Sequence, residues 1–320
     1  MKEMIKEIIR EEMARSNKKF YFISGLPRSG STLLSSILNQ NPRFYSGPSS
    51  PVVPTMLTLE NSLSNDELFL SYPKPEQAKK IISSVLPQFY SDRSEPVIFD
   101  KNRSWTIRME YIPGYFDIEP KVICPVRDIS EILTSFITMI RRNPISPNGK
   151  INFIDDMLIK NNILLTDNNR CEFLASPNGI LGQSFDGLKK ALMSGYNKSI
   201  HFVEYNDLVN NPKETMEKIY DFLGEEYFDH TFTNLKNENR ENDLQIYGVS
   251  DMHEVRSEIE SISLNPEEVL SEQILEKCNG VEFWRSNQDD FEDDFEDEDD
   301  FENEDDFENE DEEDSKLIGG

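Results

Sequence analysis

Cysteine is scarce in this chain. Cys124, Cys171 and Cys278 are three in number and far apart. A set that is odd and scattered suggests neither a disulfide framework nor a metal cluster, so a reducing, cytoplasmic setting is expected and no metal. Long apolar runs are missing too, and no stretch approaches the ~20 residues of a membrane-spanning helix. The opening segment MKEMIKEIIREEMARSNKK lacks the uncharged apolar centre of a signal peptide. Positive charge is in deficit, with 33 Lys and Arg against 61 Asp and Glu. A non-specific grip on nucleic acid needs a basic surface, so nucleic acid is not expected as a partner.

The acidity is unevenly placed. Residues 289–320 hold 20 acidic side chains and one basic one, leaving 41 acids against 32 bases in residues 1–288. That tail repeats Asp-Asp-Phe-Glu units, with Phe291, Phe295, Phe301 and Phe307 set among carboxylates. Such dense like charge predicts a disordered acidic tail, either solvating or docking to a basic protein partner. At the other end Met4, Ile5, Ile8, Ile9 and Met13 recur at helical spacing. They predict an amphipathic helix over residues 1–17, packed on a main domain of residues 18–288.

Within that domain, strands are expected at 19–24, 96–100, 121–126 and 200–204. Helices are expected at 31–40, near 105–111, at 128–142 and at 212–223, the last opened by Pro212. Alternation of this kind predicts a three-layer α/β/α domain with a mainly parallel sheet. Residues 143–197 read as helix and loop, inserted as a wall over a cleft.

The first strand runs straight into Ser24-Gly25-Leu26-Pro27-Arg28-Ser29-Gly30-Ser31-Thr32 and then a helix. Glycines at 25 and 30 permit a tight turn, and backbone N–H groups at a helix start favour an anion. Ser29, Ser31 and Thr32 add hydroxyls, and Arg28 adds a planar cationic fork. The loop is of the P-loop nucleotide-binding type, G-x-x-x-x-G-K-[ST], except that Ser31 stands where the lysine belongs. It therefore suits a phosphate-like group better than ATP hydrolysis. A second junction, Val126-Arg127-Asp128, follows the third strand and leads to Ser135, two turns along the next helix. Arg127 and Ser135 together form a clamp for one phosphate.

These two segments resemble the 5′-phosphosulfate loop and the 3′-phosphate motif of sulfotransferases that use 3′-phosphoadenosine 5′-phosphosulfate (PAPS). The resemblance implies that Arg28, Ser29, Gly30, Ser31 and Thr32 hold the phosphosulfate end, and Arg127 and Ser135 the 3′-phosphate. Val203-Glu204-Tyr205-Asn206-Asp207-Leu208 is partly similar to a family segment whose Tyr lies near the adenine, which would be Tyr205. Tyr247 to Arg256 resembles a terminal segment of bacterial-type members, making Arg256 a further 3′-phosphate contact. The implied reaction moves a sulfuryl group from PAPS to a hydroxyl or amine and releases PAP, the desulfated product.

In-line displacement builds negative charge on the leaving phosphate, and Arg28 and Lys101 are the cations expected to meet it. The acceptor also needs a base. Aryl-type relatives use a His shortly after the corresponding Lys, where this chain has Arg103. Asp100 or Glu60 is the expected substitute, while His201, His230 and His253 read as ordinary strand or surface side chains. Two rivals remain. One is a P-loop kinase with Asp100 as a magnesium-holding aspartate; the other is a non-catalytic scaffold acting through the acidic tail. Protein tyrosine, carbohydrate, lipid and small phenol or amine are all open as acceptors.

Overall fold

Residues 18–143, 149–236, 241–250, 252–255, 259 and 265–285 are described by the structure, a computed structural model. The helix expected over 1–17, the tail 289–320 and Arg256 lie outside the described residues. The chain divides into two units, Met1–Phe283 and Trp284–Gly320, and of the second only Trp284 and Arg285 are described.

Five strands form one sheet: β1 (Lys19–Ile23), β2 (Phe44–Ser49), β3 (Val97–Lys101), β4 (Val122–Val126) and β5 (Ile200–Glu204). Their order is β2-β3-β1-β4-β5, and every pairing is parallel. Parallel neighbours need long crossovers, which cover both faces and allow near-continuous apolar strands. All residues of β3 and β4 are accordingly buried. Successive side chains leave a strand on opposite faces. Tyr21 and Ile23 join one core with Leu34, Phe99, Ile123 and Tyr220, whereas Phe22 packs against Trp105, ring centres 4.4 Å apart.

Four helices matter for the site: α1 (Ser31–Leu38), α2 (Ile129–Arg142), α3 (Tyr205–Asn210) and α4 (Pro212–Leu223). Leu34, Ile37 and Leu38 of α1 are fully buried, each contributing about 1.5–3 kcal/mol. Asp128 caps α2 by accepting from the Ser130 N–H, and Arg141 and Arg142 occupy its last turn, where cations suit the helix dipole. Pro212 opens α4, and Gly224 ends it in the left-handed region at φ 70°.

Two expectations change. β2 was not expected, because its sequence FYSGPS carries Gly47 and Pro48 and little β-branched character. Tertiary contacts hold it in place: the Asn39 amide exchanges hydrogen bonds with the Ser46 backbone at 2.6 and 2.7 Å, and Phe44 packs on Phe99 and Tyr220. The helix expected near 105–111 is two short ones, Ser104–Ile107 and Tyr111–Phe116, separated where Arg108 leaves helical geometry. Residues 149–197 are helix and loop as expected, with helices Phe153–Lys160, Asp167–Ala175 and Ile180–Met193. No described helix is long and apolar enough to cross a membrane.

Candidate active site

β1 is central, with β3 on one side and β4 on the other, so the connections leave it in opposite directions. Such a switch point opens a crevice beyond the carboxyl ends of the strands. A cavity of about 600 Å³ lies here, lined by Arg28, Lys101, Arg127, Ser135, Tyr205 and His253 among others.

The loop after β1 is shaped by close packing against β4. A side chain at Gly25 would place its Cβ 2.1 Å from the Pro125 carbonyl oxygen, and the Leu26 N–H donates to that oxygen at 2.9 Å. Arg28 takes a left-handed backbone at φ 61°, unusual for a side chain of its size. Gly30 follows at φ 90° and leads into α1. Gly30, Ser31 and Thr32 line the cavity beside Arg28. The Ser29 hydroxyl does not. It is buried within the loop, 2.5 Å from the Leu26 carbonyl and 2.8 Å from that of Pro125, so its expected role as a side-chain donor to ligand is corrected.

The two sequence motifs meet at one hydroxyl. Arg28 Nε donates to Ser135 Oγ at 3.1 Å, and another guanidinium nitrogen of Arg28 donates to the Met252 carbonyl. Arg127 Nη1 lies 3.4 Å from the Arg28 carbonyl, its Nε donates to Glu131 at 2.7 Å, and its guanidinium stands over the Tyr205 ring at 4.2 Å. Burial, reinforced by the charge of Arg127, pushes the Arg28 pKa down, with Asp243 and Tyr205 opposing. Like charges this close, out of water, favour an anion between them.

Lys101 and Asp100 part company. Lys101 ends β3 facing the cavity, 5% exposed, with Nζ 3.7 Å from Glu241 Oε1. Burial drives its pKa down, and Glu241 resists. Asp100 leaves the strand on the other face, as the two-residue period demands. Its carboxylate is fully buried and accepts from Ser50 Oγ at 2.8 Å, Tyr90 OH at 2.9 Å and Trp105 Nε1 at 2.6 Å. The expectation that Asp100 serves as base or metal ligand is corrected accordingly. Glu60 is likewise engaged elsewhere, accepting from the hydroxyls of Tyr111 and Tyr115.

The sequence reading missed a carboxylate and histidine group beside Lys101. Asp243 accepts from the ring Nδ1 of His253 at 2.6 Å and from its backbone N–H at 2.8 Å, and Glu241 lies 3.4 Å from the same ring nitrogen. Three atoms of ligand type, one from each residue, lie within 4.8 Å of one another. Glu241 also faces Lys101, so the group holds one ring hydrogen bond, from His253 to Asp243, and two longer charge contacts through Glu241. No local motif marked these residues; the one signal was a histidine ten positions after an aspartate near the family-like terminal segment. His201, half-buried on β5, stacks on Phe222, and the buried His230 has Nε2 3.0 Å from the Tyr220 hydroxyl.

The sulfotransferase family model matches residues 21–229, about two thirds of the chain, from within β1 to beyond β5 and including the junctions at 24–32 and 126–135. The chain belongs to the sulfotransferase family. No curated protein matches it. Solved structures similar to this sulfotransferase include the sulfotransferase domain from the curacin biosynthetic pathway, 17% identical with a TM-score of 0.42 over 66% of this chain and 75% of that one. Another is the sulfotransferase domain of the Synechococcus PCC 7002 olefin synthase, 20% identical with a TM-score of 0.39 over 72% and 83%. A third is a sulfotransferase from Alicyclobacillus acidocaldarius, 14% identical with a TM-score of 0.40 over 71% and 88%. Sulfuryl transfer is the activity of the family that the model over residues 21–229 identifies, and Arg28, Lys101 and Arg127 of this sulfotransferase line its cavity.

Proposed function

We propose that the sulfotransferase takes its sulfuryl group from PAPS and passes it to a hydroxyl or amine, releasing PAP. The observation that carries this reading is the contact of Arg28 with Ser135, which makes one pocket of two strand-to-helix junctions. A nucleotide phosphorylated at both ends needs two anion sites with a path between them. The loop 25–32 supplies one, Arg127 with Ser135 the other, and both line the same cavity. Tyr205, under the Arg127 guanidinium, offers a face for the adenosine.

Lys101 and Arg28 would stabilise charge growing on the leaving phosphate, the first buried and the second half-buried at the cavity. Kinase chemistry is disfavoured on two grounds. Ser31 stands where the loop lysine belongs, and the Asp100 carboxylate is held by three donors away from the cavity. The acidic residues 289–320 are assigned no part in transfer and remain a proposed docking tail for a basic protein.

Calorimetric titration of the full chain with PAP tests the reading. Binding of PAP that weakens as salt rises is expected, with ATP and magnesium binding far less. Tight ATP binding without PAP binding would reverse it.

A further inference from the structure

An acceptor O–H or N–H must lose its proton as it attacks sulfur, and neither Asp100 nor Glu60 is in the cavity. We propose that His253, oriented by Asp243, is the general base of this sulfotransferase. The inference rests on the PAPS reading above and adds the residue that activates the acceptor.

Four features place it there. His253 lines the cavity with Arg28, Lys101 and Arg103. Asp243 grips it twice, through the ring Nδ1 and the backbone N–H, which fixes both ring orientation and the segment that carries it. With Nδ1–H donated to a carboxylate, the basic lone pair belongs to Nε2. Glu241 then stands between His253 and Lys101: Oε2 lies 3.4 Å from His253 Nδ1, Oε1 lies 3.7 Å from Lys101 Nζ, and Oε1 also accepts the Ser49 N–H at 2.9 Å. One carboxylate thereby sets the spacing between the cation that meets the leaving charge and the group that takes the proton.

The step balances. The acceptor oxygen or nitrogen forms a bond to sulfur with its lone pair, and its proton passes to His253. The bond from sulfur to the bridging phosphate oxygen breaks, and its electron pair leaves with PAP. His253 then returns the proton to solvent. Among the described residues, the charged and titratable groups around the ring include Asp243, Glu241, Tyr247 with ring centres 5.7 Å apart, and Lys101 and Arg103 lining the same cavity.

The test uses the full chain with PAP and sulfur-labelled PAPS. PAP binding is measured first by calorimetry for the wild type, His253→Ala, His253→Gln, Asp243→Asn and, as a control away from the cavity, the exposed Glu226→Gln. Label release to water and label transfer to p-nitrophenol, tyramine and N-acetylglucosamine are then followed from about pH 5 to 9, the range a histidine spans. Both His253 variants should bind PAP but lose about 10²–10⁴-fold in rate. They should lose the fall in rate on the acid side, and added imidazole should restore part of the rate to the alanine variant. Asp243→Asn should lower kcat while keeping the acid limb, and Glu226→Gln should match the wild type. Undiminished transfer in both His253 variants, or an acid limb that survives in them, overturns the proposal. So does a wild type that binds PAP yet releases label no faster than buffer to water and to every probe. Absence of PAP binding in the wild type overturns the donor reading itself.

Discussion

The guanidinium of Arg28 donates to the hydroxyl of Ser135 at 3.1 Å, across 107 positions of sequence. Arg28 belongs to the turn after β1, Ser135 to the second turn of α2 after β4. Their contact is possible because β1 and β4 are neighbours in the sheet. It holds a long cationic side chain over the cavity before any substrate arrives, reducing the entropy lost on binding.

Ser135→Ala should leave the fold intact and weaken PAP binding about tenfold, the worth of one hydrogen bond to a charged group. Arg127→Ala should cost more, about 30–100-fold, because a charged partner of a phosphate is lost. Calorimetry on both variants checks the order.

Lys101→Met should separate binding from chemistry. The methionine fills much of the same buried space, so PAP affinity should change little while kcat falls about 10²–10³-fold. An equal loss in both would assign Lys101 to holding the nucleotide.

Gly25→Ala should unfold or severely destabilise the protein. Its new Cβ would lie 2.1 Å from the Pro125 carbonyl oxygen, and two backbones that pack this closely cannot both give way. A loss of about 2–4 kcal/mol in chemical denaturation is expected.

Asp100→Ala should destabilise without touching the site. It would strand the hydrogen-bonding groups of Ser50, Tyr90 and Trp105 in the core, at about 1–3 kcal/mol for each left unsatisfied. PAP affinity should hold, which distinguishes a structural carboxylate from a catalytic one.

Acid should weaken the fold partly through His230. Burial lowers its pKa from 6.5 to about 4, so the unfolded chain takes up a proton in this window that the folded chain refuses. This contribution is whole above about pH 6.5 and disappears as pH falls through about 4. Denaturation of His230→Gln across that range should show a flatter dependence than the wild type.

The turn carrying Gly25, Arg28 and Gly30, and the strand end at Arg127 followed by the helix that carries Ser135, were legible because each depends on spacing along the chain. A strand, a tight turn and a helix start are local events, set by residues within a few positions of one another. Asp100 and Lys101 mark the limit. Adjacent in sequence, both seemed suited to catalysis, yet a strand sends neighbouring side chains to opposite faces, and only the assembled sheet says which face is the cavity. β2 was hidden for a similar reason, since Asn39 and the aromatic packing of Phe44 hold a segment whose own residues favour a turn.

By itself the sequence determined that a glycine-bearing turn and an arginine-bearing turn sit at strand ends, because short-range backbone preferences dictate where a strand stops and a helix starts. Only the tertiary structure decided that the turns share one cavity and that His253, Asp243 and Glu241 come to stand against Lys101. Those contacts join parts of the chain more than a hundred residues apart, and no local preference encodes a distance closed by packing alone.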